Sequence, residues 1–215
     1  MIATPAVAPL VCLDPGHGTP PAIGRQLEPI GPGSRDRKIK DGGGAAGEAP
    51  VALAIAVRAR RLLLARGYRV AMTRTGPTIH LGDGDGNIAR ARFCNRRHAA
   101  LMVRIHADGA GDRSLHGVST LVPAWHRGWT DDIYARSLRA GRALQAAVVG
   151  STGAANRGVV QRSDLTGFNW ADVPAVLVET GFMTNPTESR RLKTAAYQQR
   201  VALGLVRGVA ALLGR

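Results

Sequence analysis

The sequence predicts an α/β fold: a single three-layer domain over residues 1–215, with a twisted, mostly parallel central sheet of about six strands and helices on both faces. Short apolar runs rich in β-branched residues, such as 101–105 and 175–178, read as strands covered on both sides. Segments with helical spacing of apolar residues alternate with these runs, the order that βαβ units produce. No internal repeat or linker interrupts the alternation.

The elements follow in order. Residues 9–14 form the first strand and stop at Pro15-Gly16-His17-Gly18, where two glycines let the backbone bend on either side of His17. Residues 19–47 are rich in Gly and Pro. They carry a basic cluster at Arg35, Arg37, Lys38 and Lys40, then Gly42-Gly43-Gly44. No periodicity survives there, so the segment reads as a structureless loop, either a lid or disordered. Glu48-Ala49-Pro50 opens a helix running to about Arg66, because Pro suits a first helical turn and Gly67 closes the end. Val51, Ile55 and Leu62 give it a buried face, and the helix dipole favours Glu48 at its start.

Residues 69–74 are the second strand. The loop after it ends in Gly82-Asp83-Gly84-Asp85-Gly86, a turn rather than a calcium loop, since the twelve-residue pattern with its closing Glu is absent. Residues 87–98 read as a basic helix with Asn87 as N-cap. A strand over 101–105 ends on His106, and another covers 118–122. A helix over about 131–149 and a short strand over 157–161 come next. Residues 164–172 form a loop containing Phe168, Asn169 and Trp170, either a substrate wall or a loop packed on the sheet. The strand over 175–178 ends on Glu179. Asn185-Pro186-Thr187-Glu188 starts a short helix, and an amphipathic helix over 195–213 closes the chain.

A formal charge of +14 and a pI near 11.4 imply an anionic partner. Nucleic acid is disfavoured, because no recognition motif is present and the arginines lie along helices rather than among aromatics. No apolar run reaches the length of a membrane span. The first strand begins by about residue 8 and leaves no room for an export signal ahead of it, so any such signal is expected to be missing from this chain. Cys12 and Cys94 match neither a disulfide framework nor a metal pair. They read first as small buried hydrophobes, or as a bonded pair if the protein is exported.

Open α/β sheets take ligands outside the carboxyl ends of their strands. His17, His106 and Glu179 stand at that rim. Two histidines and two glutamates are the ingredients of a catalytic zinc site with three protein ligands and a nearby base. Their wide spacing is weak evidence alone, since no local HExxH signature exists.

The segments Leu13-Asp14-Pro15-Gly16-His17-Gly18, Glu48 at a helix start, Arg104-Ile105-His106-Ala107 and Val178-Glu179-Thr180-Gly181-Phe182-Met183-Thr184-Asn185 resemble, in order and spacing, the zinc-dependent N-acetylmuramoyl-L-alanine amidases of bacterial cell walls. The similarity covers essentially the whole chain, and Thr73-Arg74, Arg90 and Asn95 look like further family positions. The resemblance implies one Zn2+ per chain held by His17, Glu48 and His106, with Glu179 as the catalytic carboxylate. It implies a peptidoglycan hydrolase that cuts the amide between the N-acetylmuramic acid lactyl group and L-alanine, in wall remodelling and cell separation. The implied partners are the stem peptide and glycan, with anionic envelope polymers on the basic surface. The implied state is an extracytoplasmic monomer, in periplasm or cell wall, without a separate wall-binding domain.

Two departures stand out. His106-Ala107-Asp108 replaces the family's His-x-Asn, so Asp108 joins Asn169 and Asn185 as candidate substrate contacts, and residues 24–47 are unlike most members. Some members carry an autoinhibitory helix between the positions of Val118 and Val159. No such insertion appears here, which implies activity without an activator. Two rival readings remain. One is another zinc-dependent peptidase or deacylase on the same fold. The other is an inactive basic envelope-binding module, which the presence of all four site residues disfavours.

Overall fold

In β1 (Leu10–Pro15) the side chains of Val11 and Leu13 enter one apolar core and those of Leu10 and Cys12 another, so the strand is buried on both faces. The computed structural model describes residues 7–82 and 84–214. Around β1 the sheet runs in the order β4 (Arg69–Met72), β1, β5 (Leu101–Asp108), β8 (Ala175–Phe182), β6 (Val118–Pro123) and β7 (Asn156–Arg162). The first four are parallel; β6 runs antiparallel to β8, and β7 is parallel to β6. The six-stranded, mostly parallel sheet predicted above is therefore observed, with one reversal at β8 and β6.

The thicker layer consists of α2 (Glu48–Ala65), α4 (Tyr134–Thr152) and α7 (Ala195–Leu213), whose Ile55, Leu144 and Leu205 pack on Val103, Ile105 and Val178. On the other face α3 (Asn87–Asn95) and α5 (Thr166–Asn169) cover Cys12, Met102 and Leu177. Period two then fixes the polar residues as well. Asp14, Arg104 and Glu179 share a strand face with Cys12, Met102 and Leu177, the thinner layer's side. Register places Asp14 beside Arg104 and His106 beside Glu179.

Several expectations are corrected. Residues 19–47 are not structureless. They contain α1 (Pro21–Gly24) and an antiparallel ribbon of β2 (Leu27–Pro29) and β3 (Arg37–Ile39). The ribbon is pinned to the body where the Trp129 and Trp170 indoles donate to the carbonyls of Pro32 and Pro29. Asn87 does not cap α3. Glu28 reaches across from β2 and accepts from the backbone N–H groups of Asn87 and Ile88, while the Asn87 amide donates to Glu28 and to the Lys40 carbonyl. Cys12 and Cys94 are bonded, not free. Alternation turns Cys12 toward α3, and Cys94 faces it with Cα atoms 5.8 Å apart, inside the span a disulfide bridges. Residues 164–172 are not all loop: they contain the short helix α5 and pack on the sheet, with Phe168 buried in the core. Strand β8 continues past Glu179 to Phe182. In the Gly82–Gly86 turn, Asp85 accepts from the Leu81 N–H, while Asp83 lies outside the described residues.

Candidate metal centre

The centre starts from a buried charge. Asp14 is wholly enclosed, an arrangement that costs many kcal/mol unless the carboxylate is paired and hydrogen-bonded. Arg90 donates to its Oδ1 at 2.7 Å, Arg104 to its Oδ2 at 2.8 Å, and Thr73 adds a hydroxyl. Burial alone raises the Asp14 carboxyl, but the two guanidinium groups and Thr73 outweigh it and hold it well below the usual carboxylate range. The arginines also grip the next turn of chain. Arg74 donates to the carbonyls of Pro15 and Gly16, and Arg90 to those of Pro15 and His17. His17 sits in the left-handed region at φ 60, a conformation this grip sustains.

That turn aims His17 at Glu48 and His106. The His17 Nε2 and the His106 Nδ1 each lie 2.9 Å from Glu48 Oε1, and the three candidate ligand atoms fall within 4.8 Å of one another. Glu48 is fixed in turn. Its Oε1 accepts from the Ala107 N–H and its Oε2 from the Ala45 N–H. Gly44, at φ 70, closes backbone over the pair, and any side chain there collides with Glu48 and His17. Gly16 lies flat against the His106 ring in the same way.

Electrostatics show what the group lacks. Burial lowers His17, but its hydrogen bonds to the Asp41 and Glu48 carboxylates push it up to about 9. Burial raises Glu48, yet its bonds to His106 and His17 hold it well below the usual range. Burial lowers His106 against the pull of Glu48, and its Nε2 is enclosed without a partner. Three donor groups thus converge around one carboxylate oxygen, and metal binding at such sites releases protons. Two imidazoles and one carboxylate match the donor set of a catalytic zinc site that keeps a position open.

Glu179 stands next to His106 in register. Burial pushes its carboxyl well above the usual range, with Asp108 and Glu48 adding to the push, and its Oε2 is enclosed without a hydrogen-bond partner. All four predicted residues line one cleft of about 570 Å³, with Asp108 and Thr184 on its wall. A larger groove of about 830 Å³ lies between α2 and α7. Arginines and apolar side chains line it without a carboxylate or histidine, so the chemistry points to the smaller cleft.

The other candidates separate. Asp108 is half-buried at the end of β5, in the cleft, and accepts from the Gly109 N–H. Asn169 is buried outside the cleft, and its amide donates to the carbonyls of Ile30 and Ser163. Asn185 caps α6 (Pro186–Leu192), accepting from the N–H groups of Thr187 and Glu188. Both asparagines thus hydrogen-bond within the fold, and neither lines the cleft. Sequence reasoning missed Asp41, whose Oδ1 lies 2.7 Å from His17 Nδ1. It is the carboxylate that closes a basic run just before three glycines, a faint signal.

Comparison with known proteins agrees with this geometry. Over 98% of its length the chain is 32% identical to the N-acetylmuramoyl-L-alanine amidase Rv3717 of Mycobacterium tuberculosis, covering 90% of that protein. It is 28% identical to the amidase AmiA of Escherichia coli, over 93% of this chain and 74% of that one. The crystal structure of the amidase Ami1 from Mycobacterium smegmatis superposes with a TM-score of 0.84 at 31% identity, over 97% of this chain and 98% of that one. Residues 11–211 match the family profile, and the chain belongs to the N-acetylmuramoyl-L-alanine amidase family.

Proposed function

We propose that this enzyme hydrolyses the amide between the lactyl group of N-acetylmuramic acid and L-alanine of the peptidoglycan stem peptide, with His17, Glu48 and His106 holding one zinc ion and Glu179 as base. The observation that carries the reading is a buried carboxylate oxygen without a partner on Glu179, beside a His-Glu-His triad in one cleft. When bound, zinc would polarise the scissile carbonyl, lower the pKa of water and supply the positive charge that lets Glu179 ionise. Glu179 takes the proton from the attacking water and passes it to the leaving amine. Burial raises the proton affinity of Glu179, which favours its taking the proton from water. Asp108 faces the same space and is positioned to contact the substrate.

The disulfide supports an extracytoplasmic setting, since such bonds persist in oxidising compartments. Among the described residues no helix is long and apolar enough to cross a membrane. The test is metal content measured alongside muropeptide release, with and without chelator. Expected are about one zinc per chain, free intact stem peptide as product, and loss of both metal and activity in His106→Ala. Shortened stem peptides would instead favour a peptidase, and full zinc occupancy in His106→Ala would remove that residue from the ligand set.

A further inference from the structure

We propose that Asp41 is a positioning residue that holds the hydrogen of the His17 imidazole on Nδ1, so that the neutral ring turns its Nε2 lone pair toward Glu48 and His106. The inference rests on the metal centre described above. Three N–H donors converge on the Asp41 carboxylate. His17 Nδ1 and the Gly43 N–H reach Oδ1 at 2.7 and 2.8 Å, and the Thr19 N–H reaches Oδ2 at 3.3 Å. An ionised carboxylate has no proton to give, so the hydrogen in the 2.7 Å contact belongs to Nδ1. Without metal Nε2 also donates to Glu48 Oε1 at 2.9 Å, and a metal would displace that second hydrogen while the one on Nδ1 stays with Asp41, leaving the Nε2 lone pair as the ligand. Nε2 is the atom aimed at Glu48.

The carboxylate is itself held. The Asp41 N–H donates to the Gly24 carbonyl, and the neighbouring Lys40 is tied through its N–H to Gln26 and through its carbonyl to the Asn87 amide. Asp41 is outside the residues lining the cleft, so it acts through His17 and not on the substrate. An amide at this position cannot substitute. Whichever way Asn turns, its NH2 faces one of the three donors, and turned toward His17 it selects the tautomer whose Nε2 carries the hydrogen.

The experiment measures zinc affinity by competition with a chromogenic chelator for the parent, Asp41→Asn and Asp41→Ala. It is paired with the melting temperature of each metal-free protein and long-range proton–nitrogen spectra of the histidine rings. Losing a carboxylate that orients a metal-ligating histidine typically costs 10- to 100-fold in metal affinity. The proposal expects a weakening of about that size in both variants with the metal-free melting temperature little changed. It also expects the zinc-loaded parent to show His17 protonated at Nδ1. Affinity within twofold of the parent in Asp41→Ala, or an affinity loss that only tracks a fall in metal-free melting temperature, overturns it. A parent that binds no zinc would overturn the metal centre itself and the proposal with it.

Discussion

Replacing Glu179 by Gln tests the base while keeping the shape of the cleft, because the amide is isosteric and cannot accept the proton. The expected outcome is a folded, zinc-loaded protein that releases stem peptide at least ~100-fold more slowly. Near-normal turnover with metal present would place the base elsewhere. Asp14 makes a different prediction, on stability. Its carboxyl is held below the usual range in the fold and titrates near 3.9 when unfolded. Its stabilising contribution is therefore complete above about pH 5 and declines as pH falls through about 3.9 toward the folded value. The stability gap between parent and Asp14→Asn should be on the order of 3 kcal/mol at pH 6, since two buried arginines lose their anion, and should narrow from pH 5 to pH 2. Thermal melts of both proteins across that range check it; a gap independent of pH would refute the assignment. His17, His106 and Glu179 were legible in the sequence because each follows an apolar run at a strand's carboxyl end. The proposed ligand role of Glu48 came only from the family resemblance, since its place at a helix start has an adequate explanation in the dipole. Asp41 was illegible because its partner His17 lies 24 residues away, across a segment without periodicity.

At the scale of elements, α3 shows how a helix can depend on a distant strand. It begins after Gly86 with no side-chain cap of its own, and Glu28 of β2 accepts from its first N–H groups. The helix carries Arg90, which holds Asp14 and the His17 carbonyl, so the ribbon indirectly supports the metal centre. Glu28→Ala should cost about 1–2 kcal/mol, the upper range for losing a helix cap, read as a lower denaturation midpoint. An unchanged midpoint would mean that water or Asn87 replaces the cap without loss. The strands, α2 and α7 were legible to within a residue or two, apart from the extension of β5 and β8 beyond their apolar runs, because periodicity and end signals agreed. The ribbon was not. Its two strands have three residues each, and what orders them is a set of bonds to Trp129, Trp170 and Asn87 far along the chain.

Across the whole molecule the helices carry many more basic than acidic side chains. Helices α4 and α7 contain no Asp or Glu, and α2 has only Glu48 at its start. Arg60, Arg61, Arg136, Arg139, Arg142, Arg200 and Arg207 are exposed on these helices, and none forms an ion pair with a carboxylate among the described residues. These arginines contribute to the positive field of the protein, which is proposed to attract anionic wall polymers. Binding to purified walls should weaken as salt rises from about 0.05 to 0.5 M, because screening lengths shrink. Sedimentation that ignores salt would assign the charge another role. The net charge was evident from composition, but not that the arginines of α2, α4 and α7 share a layer, which depends on how three helices separated in the chain come together. The bond between Cys12 and Cys94 closes a loop of 82 residues and fastens the helix bearing Arg90 to the strand bearing Asp14. For anyone preparing the enzyme, that makes the choice of reductant part of the assay. Dithiol reagents also bind zinc, so activity lost in their presence has two explanations. A phosphine that leaves the metal alone separates them: zinc content should hold while stability drops by about 4 kcal/mol, the amount expected for opening a loop of this length.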